Sequence, residues 1–147
     1  MSLLEKITND MKLAMKARDQ LKVSTLRMLM SQIKNARINA KEDLNPEQEL
    51  AVIINAAKKH KESIEIYQKT ARTDLLEKEQ KELAIIEEYL PEQISDEEVE
   101  KTITEIIEQT AAKSMKDIGK VMSEAMKILK GKADGKKIQQ LVRSKLA

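Results

Sequence analysis

The sequence predicts an all-α protein: an N-terminal bundle of about four helices, two of them long, then a three-helix C-terminal lobe after a Leu-Pro hinge. Three observations carry this. Turn-forming and aromatic residues are scarce: 147 residues include 3 Gly, 2 Pro, 2 Tyr, no Phe and no Trp, while Leu, Ile, Lys, Glu, Ala and Met abound. Apolar residues recur at the three- and four-residue spacing of helices buried on one side. Ser, Asp and Asn start signals stand before those runs. A chain of this length forms one domain or two small ones, and buries about 68–70% of its unfolded surface with no metal or disulfide needed.

Ser2 and Glu5 form a capping box, so the first helix starts near Leu3, with Leu3, Leu4, Ile7, Met11 and Met15 as its apolar stripe. It breaks at Ala17-Arg18-Asp19, where Asp19 caps the second helix. That helix runs to the region of Lys41, with Val23, Leu26, Leu29, Met30, Ile33 and Ala40 on one face and Arg27, Lys34 and Lys41 on its flank. Arg37 projects close to the apolar face and is expected to be paired or set at a helix–helix seam, for a structural reason. Asn45 as N-cap, Pro46 at the first position and Gln48 at the third start a helix that reaches Lys69 and carries Leu50, Ile53, Ile54, Ala57, Ile64 and Tyr67. A fourth helix over 74–89 turns Leu76, Leu83, Ile86 and Leu90 inward and glutamates outward.

Leu90-Pro91 is the clearest boundary, since proline disfavours helix in the residue before it. It divides residues 1–90, the helical bundle, from residues 91–147, the lobe. Ser95 and Glu98 form a second capping box, with Asp96 and Glu97 in a first turn whose dipole favours acids. The helix over 96–112 buries Val99, Ile103, Ile106 and Ile107. Ser114 to Asp117 cap a sixth helix, on which Ile118, Val121, Met122, Ala125, Met126, Ile128 and Leu129 share an arc opposite Lys116, Lys120, Lys127 and Lys130. After Gly131, Asp134 caps a seventh helix with Ile138, Leu141 and Val142 inward and Lys136, Gln140 and Arg143 outward.

Charge is segregated. Residues 1–72 hold 14 Lys/Arg against 9 Asp/Glu, residues 73–112 hold 3 against 13, and residues 113–147 hold 10 against 3, within an overall net charge of +2. Such blocks orient basic ends towards a polyanion and the acidic middle away from it. The near absence of aromatics argues against base stacking as a way of holding single-stranded RNA. The absence of cysteine excludes disulfides, thiolate zinc sites and a cysteine nucleophile. No apolar run is long enough for a signal peptide or a membrane span, so a bacterial-type cytoplasmic protein is expected.

Catalysis requires a nucleophile against a base, an acid–base pair or a metal. The single histidine, His60, stands in a lysine run with no partner motif and reads as a surface residue. The carboxylates recur among lysines at the spacing of surface pairs, Gly119-Lys120 lacks the other glycines of a phosphate loop, and the GKADG turn at 131–135 has Asp134 where an anion would sit. No catalytic residue, metal ligand or cofactor is expected. The functional expectation rests on a basic ridge of Lys116, Lys120, Lys127, Lys132, Lys136 and Arg143, suited to an anionic partner such as RNA.

Five segments together resemble the YqeY proteins of the GatB/YqeY family nearly end to end: TLRMLMSQIKN at 25–35, ESIEIYQK and ARTDLLEKE within 62–79, EEYLPEQIS at 87–95, DIGKVM at 117–122, and KGKADGKKIQQLVRSKL at 130–146. The last two also look like the tail domain of GatB, a subunit of the amidotransferase that converts misacylated Glu-tRNA(Gln) or Asp-tRNA(Asn). The chain departs from the pattern at Gly135, where the GatB tail commonly has proline, and at His60-Lys61, where YqeY proteins usually have arginines. The resemblance implies a tRNA-contacting helical appendage, related to modules fused to a glutaminyl-tRNA synthetase. GatB's ammonia-activating site lies in a different domain. The family name carries carbon–nitrogen ligase activity with glutamine as amido-N-donor, but no glutaminase nucleophile, ATP site or metal ligands are evident in this chain. Three functions follow as expectations: binding of tRNA or of a tRNA-charging or amidating enzyme, participation in an amidotransferase, and a protein–protein adaptor.

Overall fold

A computed structural model describes all 147 residues. Seven α-helices form: α1 (Leu3–Lys16), α2 (Gln20–Ala40), α3 (Pro46–Lys69), α4 (Thr73–Glu87), α5 (Asp96–Thr110), α6 (Ile118–Leu129) and α7 (Gly135–Leu146). A single 3-10 turn, Met115–Asp117, leads into α6, and no strand is present beyond an isolated bridge between Lys130 and Ala133. No helix is long and apolar enough to cross a membrane. By packing the chain divides into two compact units, Met1–Leu90 and Pro91–Ala147.

In the first unit the helix starts follow their sequence signals. Ser2 and Glu5 close a capping box on α1, Asn45 and Gln48 close another on α3 behind Pro46, and the Asp19 carboxylate accepts the Lys22 N–H at the start of α2. The core joins Ile7 of α1, Leu26, Leu29 and Ile33 of α2, Ile53, Ala56 and Ala57 of α3, and Ile86 and Tyr89 at the end of α4. Three details differ from the sequence reading or refine it. On α1, Ala14 is buried and Met15 is 48% exposed, because Ala14 lies only about 20° around the helix from Ile7 whereas Met15 lies about 80° away. On α2, full burial stops at Ile33, and Ala40 is exposed. Arg37, in the last turn of that helix, takes the first of its two expected roles, paired with Asp43 of the following loop.

Two polar contacts hold this unit together at depth. Glu49 of α3 is buried, and its Oε2 accepts the Leu4 N–H at 3.0 Å, so α3 caps the amino end of α1. The Tyr89 hydroxyl donates to Asp10 Oδ2 at 2.6 Å, and the Lys6 ammonium lies 5.5 Å from the ring centroid.

In the second unit α5, α6 and α7 pack around Val99, Ile103, Ile106, Val121, Ala125, Leu129, Ile138, Val142 and Leu146. The Ser95 hydroxyl accepts the Glu98 N–H, but the return bond from Glu98 to the Ser95 N–H is not made, so this start is a simple cap rather than a box. Ile128 is half exposed, on the edge of the arc that buries Val121, Ala125 and Leu129. Gly131 takes the left-handed conformation, with φ 79°, to turn the chain between α6 and α7. Its carbonyl accepts from Gln93 Nε2 at 2.6 Å and the Lys132 carbonyl accepts the Ile94 N–H at 3.0 Å, which ties the segment after Pro91 to this turn.

Candidate functional site

The basic rim is built on α6 and α7. Burial of Val121, Ala125 and Leu129 rotates Lys120 and Lys127, seven residues apart, to the opposite side of α6, and Lys116 precedes them on the 3-10 turn. On α7, burial of Ile138, Val142 and Leu146 leaves Lys136 and Arg143 outward, again seven residues apart. Lys132 sits in the connecting turn. All six side chains are exposed. The GKADG turn is occupied by internal bonds: Asp134 Oδ1 accepts the Lys136 N–H at 3.0 Å, and the Gly131 and Lys132 carbonyls bind the segment after Pro91.

The ion pairs sort the lysines of this unit. Lys137 reaches Asp96 at 3.5 Å and Lys145 reaches Glu100 at 3.2 Å, both acids on α5. Lys127 pairs with Glu124 of its own helix at 3.1 Å, an exposed pair of little energetic weight. Lys116, Lys120, Lys132, Lys136 and Arg143 form no ion pair. Residues 91–147 hold eleven Lys/Arg and ten Asp/Glu, so the unit as a whole is close to neutral. Its charge is separated by element, with acids on α5 and amines on α6 and α7.

A second cluster overturns the reading of His60 as a surface residue. His60 is buried, 8% exposed, against α4. Its Nε2 lies 2.9 Å from Glu82 Oε2 and 3.5 Å from Glu79 Oε2, while its Nδ1 lies 3.1 Å from the Ala56 carbonyl oxygen. The α4 glutamates, expected to face outward, therefore include two that turn towards α3. The three ligand-type atoms all lie within 4.8 Å of one another and could hold a metal ion. The signal was present in the spacing. His60 is seven residues beyond Ile53 and four beyond Ala56, and Glu79 and Glu82 are seven and four residues before Ile86, so all three share stripes with buried residues. The exposed Lys58 and Lys59 beside His60 masked that register.

The family model described as Yqey-like protein matches residues 4–146. The chain belongs to the YqeY-like family. Among relatives of this YqeY-like chain, the protein named altered inheritance of mitochondria protein 41, mitochondrial, from Vanderwaltozyma polyspora is 37% identical over 120 residues, which cover 76% of this chain and 64% of the relative. The chain thus spans slightly less than two thirds of that protein. A protein of the same name from Pyrenophora tritici-repentis is 28% identical over 149 residues, covering 97% of this chain and 82% of the relative. A component of the glutamyl-tRNA(Gln) amidotransferase of Thermococcus gammatolerans is 44% identical over 57 residues, 36% of this chain and 9% of that relative. These similarities link the YqeY-like chain to amidotransferase-related proteins. Two of the three relatives are named as mitochondrial, so their names do not describe the bacterial-type cytoplasmic setting expected from composition.

Proposed function

We propose that this chain is a non-catalytic helical module that associates with tRNA, or with an enzyme that charges or amidates tRNA, through the basic rim of residues 116–143. The observation that supports this most directly is the sorting of the cations. The acids of α5 engage Lys137 and Lys145, and Lys116, Lys120, Lys132, Lys136 and Arg143 are left without acidic partners. Unpaired amines on a rigid helical frame attract phosphate through counterion release, without aromatic stacking. The similarity to an amidotransferase component whose name includes tRNA agrees with that partner.

Binding of bulk tRNA, followed by fluorescence anisotropy across a salt series, tests the proposal. The logarithm of affinity is expected to fall linearly with the logarithm of salt concentration, each neutralised phosphate adding about 0.9 to the slope on duplex. Changing Lys120, Lys127 and Lys136 together to Glu removes binding. Changing the exposed, unpaired Lys12, Lys16 and Lys69 to Glu, the same change in net charge, leaves most of it. Equal losses in the two triple variants refute a localised interface. A second reading, an amidotransferase component, is favoured by the same similarity. It predicts that glutamine-dependent amidation of misacylated tRNA by a purified amidotransferase accelerates when the chain is added, and an unchanged rate refutes it.

A further inference from the structure

We propose that His60, Glu79 and Glu82 form a binding site for a divalent first-row transition cation, with Zn²⁺ as the ion that best matches the donor set. The argument starts from the ring. A carbonyl oxygen only accepts, so the 3.1 Å contact between Nδ1 and the Ala56 oxygen requires a proton on Nδ1. In the neutral imidazole this leaves Nε2 as a lone pair, aimed at two carboxylate oxygens 2.9 and 3.5 Å away. In that form three electron-rich atoms converge, and either a proton on Nε2 or a metal cation between them relieves their repulsion. A backbone carbonyl that holds one ring nitrogen while the other faces a metal is the usual way a histidine ligand is oriented.

The distances suit that role. Ligands bound at about 2.0–2.1 Å in a tetrahedron stand about 3.3 Å apart, between the two separations observed here. The ligands come from packed elements: Glu79 and Glu82 are one turn apart on α4, and His60 faces them from α3. The His60 side chain is 10% exposed and the Glu79 and Glu82 side chains are 23% and 15% exposed, so the set is held in place yet reachable from solvent. Two carboxylates and a neutral ring carry a charge of −2. The Lys78 ammonium is well exposed and lies 3.9 Å from Glu82 Oε1, whereas the ring contact is made to Oε2. Imidazole with carboxylate favours zinc and its neighbours over Mg²⁺ and Ca²⁺, which prefer all-oxygen shells. Three protein ligands leave the fourth position to water.

The proton is the competing occupant, and the full-length chain can discriminate the two. His60 is the only histidine, so its ring ¹⁵N signals are unambiguous. In metal-stripped protein titrated with ZnCl₂ at neutral pH, the expected result is a saturable shift of the Nε2 signal, with Nδ1 remaining an N–H. Equilibrium dialysis is expected to show stoichiometric uptake, weakened at least tenfold in Glu79→Gln and in Glu82→Gln. Glu77→Gln, which alters an exposed pair on the same helix, leaves uptake unchanged. A ring that carries both protons and ignores Zn²⁺ overturns the proposal, as does uptake equal in all the variants. The wild-type ring signals decide the matter even if a variant fails to fold.

Discussion

Tyr89 shows how one side chain records its surroundings. Burial, then the hydrogen bond to Asp10 and the charge on that carboxylate, push its phenol well above the ordinary value of 10.0. The folded chain therefore holds the phenolic proton more tightly than the unfolded chain. Its stabilising contribution is complete below that ordinary value and declines as the pH climbs past it, because the unfolded phenol then ionises and the folded one does not. Absorbance at an alkaline-phenolate wavelength, in a Tyr67→Phe background, should show Tyr89 resisting ionisation until the protein unfolds. Tyr89→Phe should cost about 1.5 kcal/mol near neutrality, the lower end for a bond to a charged acceptor, and should flatten the alkaline loss of stability. Backbone strain makes a second residue-scale prediction. Gly131 holds φ 79° at the α6–α7 turn, whereas Ala111 holds φ 54° at the end of α5 without being a glycine. Gly131→Ala should destabilise by about 1–2 kcal/mol, and Ala111→Gly should stabilise by about 0.5 kcal/mol, both measured by urea unfolding. Opposite signs at the two positions would show that the left-handed conformation, not side-chain contact, governs them.

Among the elements, α3 carries the most unexpected roles. Its inward stripe includes Glu49 and His60, two polar residues at positions where the helical period calls for apolar ones. Glu49 is explained by α1, whose Leu4 N–H has no partner within its own helix and finds one in this carboxylate. Glu49→Ala should cost about 1.5–3 kcal/mol by removing a charged acceptor from a partly buried donor, while Glu49→Gln, which keeps an acceptor oxygen, should cost less than half as much. Thermal melts of the two variants check the ordering, and equal losses would assign the effect to charge rather than to the hydrogen bond. Local signals and remote ones part company here. Ser2, Asp19, Asn45, Ser95 and Asp134 all cap the helices they announce, because a cap is made within three residues of itself. His60 escapes such reading because its partners lie 19 and 22 residues away on another helix, beyond any motif spacing.

On the scale of the molecule, two apolar cores account for two units. One gathers Ile7, Leu26, Leu29, Ile33, Ile53 and Ile86, and the other gathers Val99, Ile103, Val121, Leu129, Ile138 and Val142. Each unit has a closed core of its own, so residues 1–90 and 91–147 should each fold when produced separately, the shorter one with the smaller margin expected near 60 residues. If the basic rim is the interface, the 91–147 fragment should retain tRNA binding in the anisotropy assay and the 1–90 fragment should not. Binding confined to 1–90 would move the interface to the flank of α2 and α3, where Arg27, Lys34 and Lys59 are also exposed.

Reading the chain alone was enough for the helical class, for the starts of α1, α2, α3, α5 and α7, and for the family. The class and the capped starts depend on periodicity and short-range hydrogen bonds that are written into neighbouring residues, and the family on five segments that resemble it. Packing had to assign the rest, because partners remote in sequence set it: which lysines the acids of α5 engage, which glutamate closes the end of α1, and that a lone imidazole meets two carboxylates. Those outcomes depend on the rotation of one helix against another, and burial of apolar surface sets that rotation only when both helices are present.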